Sequence, residues 1–115
     1  MPYLAITTNK SVSPETRMEL LKEGTSAISA GTGKPEAYVM VKVEGDVVMM
    51  FAGMDAPAAM LEVKSIGYPD GATKALTRSL SELVTRRLGI GSERIYVVFT
   101  DVKAAMWGFN GKTFG

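Results

Sequence analysis

The chain contains no cysteine and no histidine. Without cysteine it has no disulfide scaffold, no CxxC redox motif and no thiolate nucleophile, and without both residues it has no Cys/His zinc site. The absence of histidine also removes Ser–His and Cys–His dyads and the commonest general base near neutral pH. An enzyme built from this sequence therefore needs a carboxylate, a lysine, a tyrosine or a terminal amine as its base.

A strong excess of one charge and a long apolar run are also missing. The net charge of the 115 residues is +1, so electrostatics gives no reason to expect nucleic acid or an acidic membrane surface as a partner. No apolar run approaches the length of a membrane span, and the first residues lack the basic and apolar regions of a secretory signal. The length and the 46% of hydrophobic residues are typical of a globular protein. We expect a cytoplasmic protein with one domain over 1–115.

Hydrophobic periodicity and turn residues predict alternating strands and helices. Ser13 suits an N-cap, Pro14 the first helical position and Glu15 the positive end of a helix dipole, so a helix should begin there. We expect helices over 14–30 and 72–88, strands over 2–7, 38–43, 47–51, 59–66 and 96–100, and a hairpin turn at 44–46. The apolar positions expected to face the core are Met18, Leu21 and Ile28 in the first helix and Leu76, Leu80, Leu83 and Leu88 in the second.

The two halves of the chain share a pattern. Residues 31–41 (GTGKPEAYVMV) align with residues 89–99 (GIGSERIYVVF), which pairs Tyr38 with Tyr96. Both halves then read strand–helix–strand, and a helix between two strands implies parallel pairing in a right-handed βαβ unit. We expect an α/β fold in which two βαβ repeats form a four-stranded sheet with both helices on one face.

The predicted strands are apolar at nearly every position, as in YVMVKV, VVMMF and IYVVF. Such strands are usually buried on both faces. Because two helices cover only one face, we expect another copy of the chain to cover the other, and the eight methionines are adaptable packing for such surfaces. The pattern predicts an oligomer.

Three short segments carry groups that suit a ligand. Lys34 follows the first helix in a glycine-bounded turn, where it either binds a carboxylate or phosphate or is a solvated surface lysine; the glycine spacing is not that of a P-loop. Ser65-Ile66-Gly67 ends a strand and either presents a backbone N–H to an anion or is a plain strand end. Tyr96 is either a hydrogen-bond donor or a core aromatic.

The two ends of the chain offer further groups. Trp107, Phe109 and Phe114 form either the wall of a pocket for a planar ligand or a plug at the end of the sheet. Pro2 has two interpretations as well. It either begins a strand, where its missing N–H costs no ladder hydrogen bond, or it becomes a terminal secondary amine once Met1 is removed.

In order and spacing, these segments resemble the macrophage migration inhibitory factor family of the tautomerase superfamily over the full length of the chain. The segments that carry the resemblance are Met1-Pro2, Thr8-Asn9, Thr32-Gly33-Lys34-Pro35, Ser65-Ile66-Gly67, Arg94-Ile95-Tyr96, Ala104-Ala105, Asn110 and Thr113-Phe114. The resemblance implies βαβ-repeat subunits that assemble as a homotrimer around a central β-barrel, with a pocket at each subunit interface.

By position, the resemblance makes Pro2 the general base of a tautomerase that acts on phenylpyruvate-like 2-oxo acids and on dopachrome-type compounds, with no cofactor and no metal. It assigns Lys34 and the backbone N–H of Ile66 to the substrate carboxylate. The other pocket residues that it implies are Tyr38, Val98, Trp107, Phe109, Phe114 and, from a neighbouring subunit, Tyr96. An ordinary α-amino group titrates at about 7.7–8.0, so burial and the charge of Lys34 are expected to keep the Pro2 amine neutral at physiological pH.

The chain departs from the family pattern at three places. The CxxC motif of the vertebrate member falls on Ala58 and Leu61, so its proposed thiol oxidoreductase activity should be absent. A pocket asparagine falls on Val98, which makes that wall more apolar. The pocket tryptophan falls on Phe109 while Trp107 stands two positions earlier, which predicts a rearranged aromatic lid.

Two other classes of function stay open. One is a cytokine-like interaction protein with residual catalysis. The other is a related superfamily activity, such as dehalogenation or decarboxylation of small acids. Relatives with those activities tend to use additional arginines near the proline, whereas Arg78, Arg86 and Arg87 fall on the second predicted helix.

Overall fold

The computed structural model describes every residue from Met1 to Gly115, and its centre is a four-stranded mixed sheet in the order β2–β1–β3–β4. β1 pairs with β2 and β3 pairs with β4 in parallel, whereas β1 and β3 are antiparallel. Two βαβ units are thus joined through their first strands, which confirms the predicted α/β fold. The elements are β1 (Tyr3–Thr8), α1 (Pro14–Thr32), β2 (Met40–Glu44), β3 (Ala59–Ser65), α2 (Ala72–Leu88), β4 (Ile95–Asp101) and a small hairpin of β5 (Gly108–Phe109) and β6 (Lys112–Thr113).

The helices pack against each other on one face of the sheet and share one core with its strands. Each helix ends at a glycine in the left-handed conformation, Gly33 with φ 73° and Gly89 with φ 70°. Counted back from these glycines, four buried positions match: Leu20, Gly24, Ile28 and Thr32 in α1, and Leu76, Leu80, Val84 and Leu88 in α2, which also buries Ala72 and Leu83. Neither helix is long and apolar enough to cross a membrane.

The predicted inner face of α1 is wrong at Met18, which is 51% exposed. The buried stripe instead runs through Gly24, where an added Cβ would lie 3.1 Å from Leu4 Cδ2 and 3.4 Å from Val41 Cγ1. The sheet approaches the helix closely at this point because glycine has no side chain. The inner face of α1 therefore includes a glycine at this point, and a pattern of hydrophobic side chains does not reveal that position.

The predicted hairpin strand over 47–51 is also wrong. Asp46 adopts a left-handed φ of 57° and its N–H donates to the carbonyl of Lys10, while the N–H of Val47 donates to the carbonyl of Thr8. These bonds carry the chain across the end of β1 toward β3 rather than back along β2. Beyond them the chain forms only a tight turn, closed by paired hydrogen bonds between Phe51 and Met54.

The internal repeat has a different register from the predicted one. A 3₁₀ turn follows each helix, at Glu36–Tyr38 in the first half and at Ser92–Arg94 in the second. Since the capping glycines are Gly33 and Gly89, the structural counterpart of Tyr38 is Arg94 and not Tyr96. The aligned motifs share residue types, but α1 has 19 residues and α2 has 17. This difference shifts the structurally equivalent positions by two residues.

The second face of the sheet is uncovered and carries both apolar and charged side chains. Met40 is 67% exposed, Tyr96 59% and Val98 46%. The charged side chains on this face belong to Lys42, Glu44, Glu62 and Lys64. Only part of the face is therefore as apolar as the strand sequences suggested, and assembly of several copies stays a prediction.

Candidate functional site

A cavity of about 750 Å³ opens at the edge of the sheet where β1 and β2 begin and where β3 and β4 end. Ten of its fourteen lining residues are hydrophobic, and no carboxylate is among them. The lining residues are Met1, Pro2, Tyr3, Ala37, Tyr38, Val39, Met40, Lys64, Thr100, Val102, Met106, Trp107, Gly108 and Phe109. The cavity thus surrounds the start of the chain with apolar groups and at least one cation.

Pro2 lies buried at the base of this cavity. Its side chain is among those less than 2% exposed, and its carbonyl accepts a hydrogen bond from the N–H of Met40 at 3.1 Å. Pro2 directly precedes β1, where no ladder hydrogen bond from its nitrogen is needed, so its missing N–H costs nothing. Met1 lines the same cavity, and its peptide bond makes the Pro2 nitrogen an amide in this chain.

Lys34 does not line the cavity, but its charge acts there. The turn after α1 is fixed because the Ser29 hydroxyl donates to the Lys34 carbonyl at 2.6 Å and the Lys34 N–H donates to Thr32 Oγ1 at 3.3 Å. Burial lowers the pKa of the Met1 amine below its ordinary value, and the positive charge of Lys34 lowers that pKa further. The site therefore disfavours a charged amine at this end of the chain.

The aromatic tail forms one side of the cavity. Tyr38 and Phe109 meet edge to face with ring centroids 6.0 Å apart, and Phe109 stacks on Phe114 at 6.0 Å. The N–H of Phe114 donates to the carbonyl of Trp107 at 3.1 Å, which closes the tail on itself. Tyr38, Trp107 and Phe109 line the cavity directly, whereas Phe114 contacts it through Phe109.

Like Lys34 and Phe114, three further residues expected in the site do not line this cavity. Ile66 follows β3, and its N–H has no hydrogen-bond partner within the chain, whereas the N–H of Gly67 donates to Asp101 Oδ1 at 2.9 Å. Tyr96 and Val98 lie on the uncovered face of β4, away from this cavity. One chain therefore brings together Pro2 and the aromatic tail but not Tyr96 and Val98.

The cavity is also lined by Lys64, Thr100 and Met106, to which no sequence pattern points. Lys64 pairs with Tyr3 across β1 and β3, and Thr100 pairs with Lys64 across β3 and β4. Alternation in the strand places Lys64 on the uncovered face. Its position beside the chain terminus depends on the antiparallel register, which no local pattern predicts.

A larger groove of about 960 Å³ lies between α2 and β4. It is lined mostly by hydroxyl and charged side chains of α2 and contains none of the predicted site residues. No group of three or more acidic side chains stands close enough together to hold a metal ion. The cavity at the chain terminus is therefore the better candidate for chemistry.

Comparison with known proteins agrees with this fold. The family model described as macrophage migration inhibitory factor matches residues 1–115. The macrophage migration inhibitory factor of Meriones unguiculatus is 38% identical over 99% of both chains. The crystal structure of the homologue from Prochlorococcus marinus is 38% identical and superposes with a TM-score of 0.93, covering 98% of this chain and 99% of that one.

A third similar structure is that of Pt0534 inactivated by 2-oxo-3-pentynoate. It is 27% identical, has a TM-score of 0.89, and is matched over 96% of this chain and 94% of its own. The full-length family match, the identity to curated relatives and the structural agreement all point the same way. This chain, which has no cysteine for a CxxC motif, belongs to the macrophage migration inhibitory factor family.

Proposed function

We propose that this protein is a keto–enol tautomerase for phenylpyruvate-like 2-oxo acids, and that its base is the secondary amine of Pro2 after removal of Met1. Family membership and the tautomerase-fold neighbours support a tautomerase or a cytokine-like role in general. The observation that favours catalysis is the apolar cavity at the chain terminus. There, burial and the charge of Lys34 lower the pKa of the Met1 amine, and the same two effects would act on the Pro2 amine once Met1 is removed.

A neutral amine in this cavity moves a proton between the enol oxygen and carbon 3 of the substrate. The enol hydroxyl gives up its proton and carbon 3 receives one, so that the carbonyl forms at carbon 2 and the amine ends neutral. An ordinary α-amino group has a pKa of about 7.7–8.0, and any lowering of that pKa increases the neutral fraction of the amine at physiological pH. A base whose pKa lies near the working pH is the most effective, and the step needs no cofactor and no metal.

The substrate carboxylate is assigned to Lys34 and to the N–H of Ile66. Support comes from three facts: Lys34 has no ion-pair partner within the chain, the Ile66 N–H has no acceptor there, and the cavity lining has no carboxylate to repel an anion. Pt0534 adds chemical support because 2-oxo-3-pentynoate, which inactivates that protein, is itself a 2-oxo acid. Dopachrome-type compounds are a second substrate class of the same proposal.

The complete pocket requires a homotrimer of single-domain subunits. In this trimer the sheets of the subunits together form a central barrel. Tyr96 of one subunit then completes the wall of the neighbouring pocket beside Tyr38, Trp107, Phe109 and Phe114, and Val98 makes that wall more apolar. The exposure of Tyr96 and Val98 on the uncovered face of β4 supports this arrangement. The solution mass tests it, since a stable monomer contradicts a pocket shared between subunits.

The direct test is ketonisation of phenylpyruvate by the chain without Met1 and by its Pro2→Ala variant. We expect Pro2→Ala to lower kcat by about 10²- to 10⁴-fold, the usual contribution of a general base. A chain that keeps Met1 should be equally slow, because its Pro2 nitrogen is an amide. Pro14→Ala, at the first position of α1, is the matched control and should keep the native rate. Equal rates for native and Pro2→Ala contradict the proposal.

The alternative is a cytokine-like interaction protein with residual catalysis. The observation that favours it is the exposed apolar segment after β2, in which Val48 is 100% exposed and Met50 71%. A binding role of this surface does not depend on the Pro2 amine. Substituting Pro2 therefore separates the two functions, because it removes catalysis and leaves the segment after β2 intact.

A further inference from the structure

The side chain of Arg94 holds the irregular segment 51–57 to the body of the protein. Its guanidinium donates four hydrogen bonds to backbone carbonyls: from Nε to Pro57 at 2.9 Å, from Nη1 to Phe51 at 3.0 Å, and from Nη2 to Ala56 at 2.9 Å and Met54 at 3.3 Å. The planar guanidinium is suited to this role because its donors form a rigid fork, which a lysine ammonium lacks. Arg94 thus gathers acceptors from the whole segment.

The segment 51–57 has few other attachments. Asn9 donates from Nδ2 to the carbonyls of Asp55 and Ala56 and accepts from the N–H of Ala58. No helix or strand forms between β2 and β3. The near half of the segment, which includes Phe51, therefore depends on the bonds to Arg94.

Arg94 also reaches Tyr96 through an aromatic ring. The guanidinium carbon lies 5.2 Å from the centroid of the Phe51 ring, and that centroid lies 4.6 Å from the centroid of the Tyr96 ring. Phe51 therefore contacts both groups, and its ring is tilted by 40° to that of Tyr96. Because Tyr96 is 59% exposed, Phe51 is the ring that restricts it on the side of its own chain.

We propose that Arg94 is a positioning residue for the pocket: by holding Phe51 against Tyr96, it fixes the ring that closes the neighbouring subunit's cavity. This inference rests on the proposed function, in which Tyr96 supplies that wall. Arg94 touches no substrate in this arrangement. Its loss leaves the amine and its chemistry unchanged and makes the aromatic wall less ordered, so the effect falls on binding.

The test is a double-mutant cycle of Arg94→Lys and Tyr96→Ala. The readouts are the Kd of phenylpyruvate, from the fluorescence of Trp107, which lines the cavity and is the only tryptophan, and the KM and kcat of ketonisation. We expect Arg94→Lys to raise Kd and KM by about two- to tenfold, the range that an aromatic pair contributes, with kcat nearly unchanged. In the Tyr96→Ala background the same substitution should have almost no effect, because coupled residues are not additive.

Two further variants keep the test decisive. Phe51→Leu keeps the backbone carbonyl that Arg94 binds and removes the middle ring, so it should raise Kd as Arg94→Lys does even if the latter variant is less stable. Arg78→Lys, on the exposed face of α2, should leave Kd unchanged. Additive effects of Arg94→Lys and Tyr96→Ala, or a native Kd in Phe51→Leu, overturn the inference. Failure of the proposed function shows separately, as a Pro2→Ala variant with native kcat, and the Kd cycle is still decisive then.

Discussion

The two βαβ halves follow the same backbone path and carry different side chains on it. The residue after the capping glycine is the cation Lys34 in the first half and Ile90, 1% exposed in the core, in the second. The 3₁₀ turn that follows ends at Tyr38, which lines the cavity, in the first half, and at Arg94, which holds 51–57, in the second. Duplicated structure thus supplies the frame, and the side chains at these turns decide what each half does.

The contact between the helices differs in the same way. Gly31 stands two residues before one capping glycine, and a Cβ on it would lie 2.4 Å from Leu76 Cδ2, so glycine is needed for Leu76 to fit. Arg87 stands two residues before the other capping glycine, Gly89, and its guanidinium forms ion pairs with Glu19 and Glu23 of α1. One end of the helix pair is closed by tight apolar packing and the other by charge.

Gly31→Ala breaks the apolar end and should have the largest effect. Overpacking a core costs about 1–3 kcal/mol, of which the higher helix propensity of alanine offsets about 1 kcal/mol. Because Leu76 is 1% exposed and has little room to move aside, the overpacking cost should lie in the upper part of this range, and the free energy of unfolding in urea should fall by about 1–2 kcal/mol. Gly24→Ala is the control and should change stability less, since its Cβ would meet Leu4 only at 3.1 Å. A Gly31→Ala protein as stable as the native one contradicts this account.

Arg87→Met removes the ionic end and should have a smaller, pH-dependent effect. The hydrogen bonds of Arg87, including Nε to Glu23 Oε2 at 3.0 Å, lower the pKa of the Glu23 carboxyl. A carboxyl group with a lowered pKa stabilises the fold when the pH is above the ordinary pKa of the carboxyl. This stability is lost as the pH falls through the lowered pKa. The urea midpoint of Arg87→Met should therefore lie below the native midpoint at pH 7 and approach it in acid. Arg78→Met, on the same helix but without an ion pair, should show no such pH dependence.

Lys34→Met makes the first half resemble the second, where Ile90 is uncharged, and should have the smallest effect on stability. The charge of Lys34 helps to lower the pKa of the Met1 amine, so its removal should raise that pKa toward the ordinary value. The sign follows from proton binding: the unfolded chain binds more protons than the folded one, so stability rises with pH between the two pKa values. Lys34→Met should therefore narrow the pH range between the pKa of the Met1 amine in the folded chain and its pKa in the unfolded chain. An NMR titration of Met1 measures it, with Lys74→Met as the control, and an unchanged pKa in Lys34→Met contradicts the assignment.

The helices were predictable because their signals are local. Ser13 caps α1 by accepting from the N–H of Thr16 at 3.1 Å, and Pro14 begins the helix as its sequence suggests. The predicted range of α2, 72–88, agrees with the structure. Local turn residues failed at Asp46, because hydrogen bonds to β1 compete with a hairpin there. That competition involves residues distant in sequence, so no short pattern contains it.

The candidate site was only partly predictable. The residues alone left Pro2 and the aromatic tail with two interpretations each, and the resemblance to a family chose between them. Lys64 was missed because its place beside Tyr3 depends on strand register. Arg94 was noted only as part of a motif, since its acceptors are backbone carbonyls of 51–57 that any sequence would offer.

The sequence by itself narrowed the possible catalytic bases and determined the frame of two βαβ units. A chain without histidine or cysteine has few bases to use, and periodicity with caps and glycines defines two βαβ units. Only the tertiary structure decided that α1 buries Gly24, that Tyr38 corresponds to Arg94, and that a cavity surrounds Pro2. The physical reason is that burial, strand register and electrostatic shifts in pKa depend on which distant segments come into contact. Local patterns along the chain do not specify those contacts.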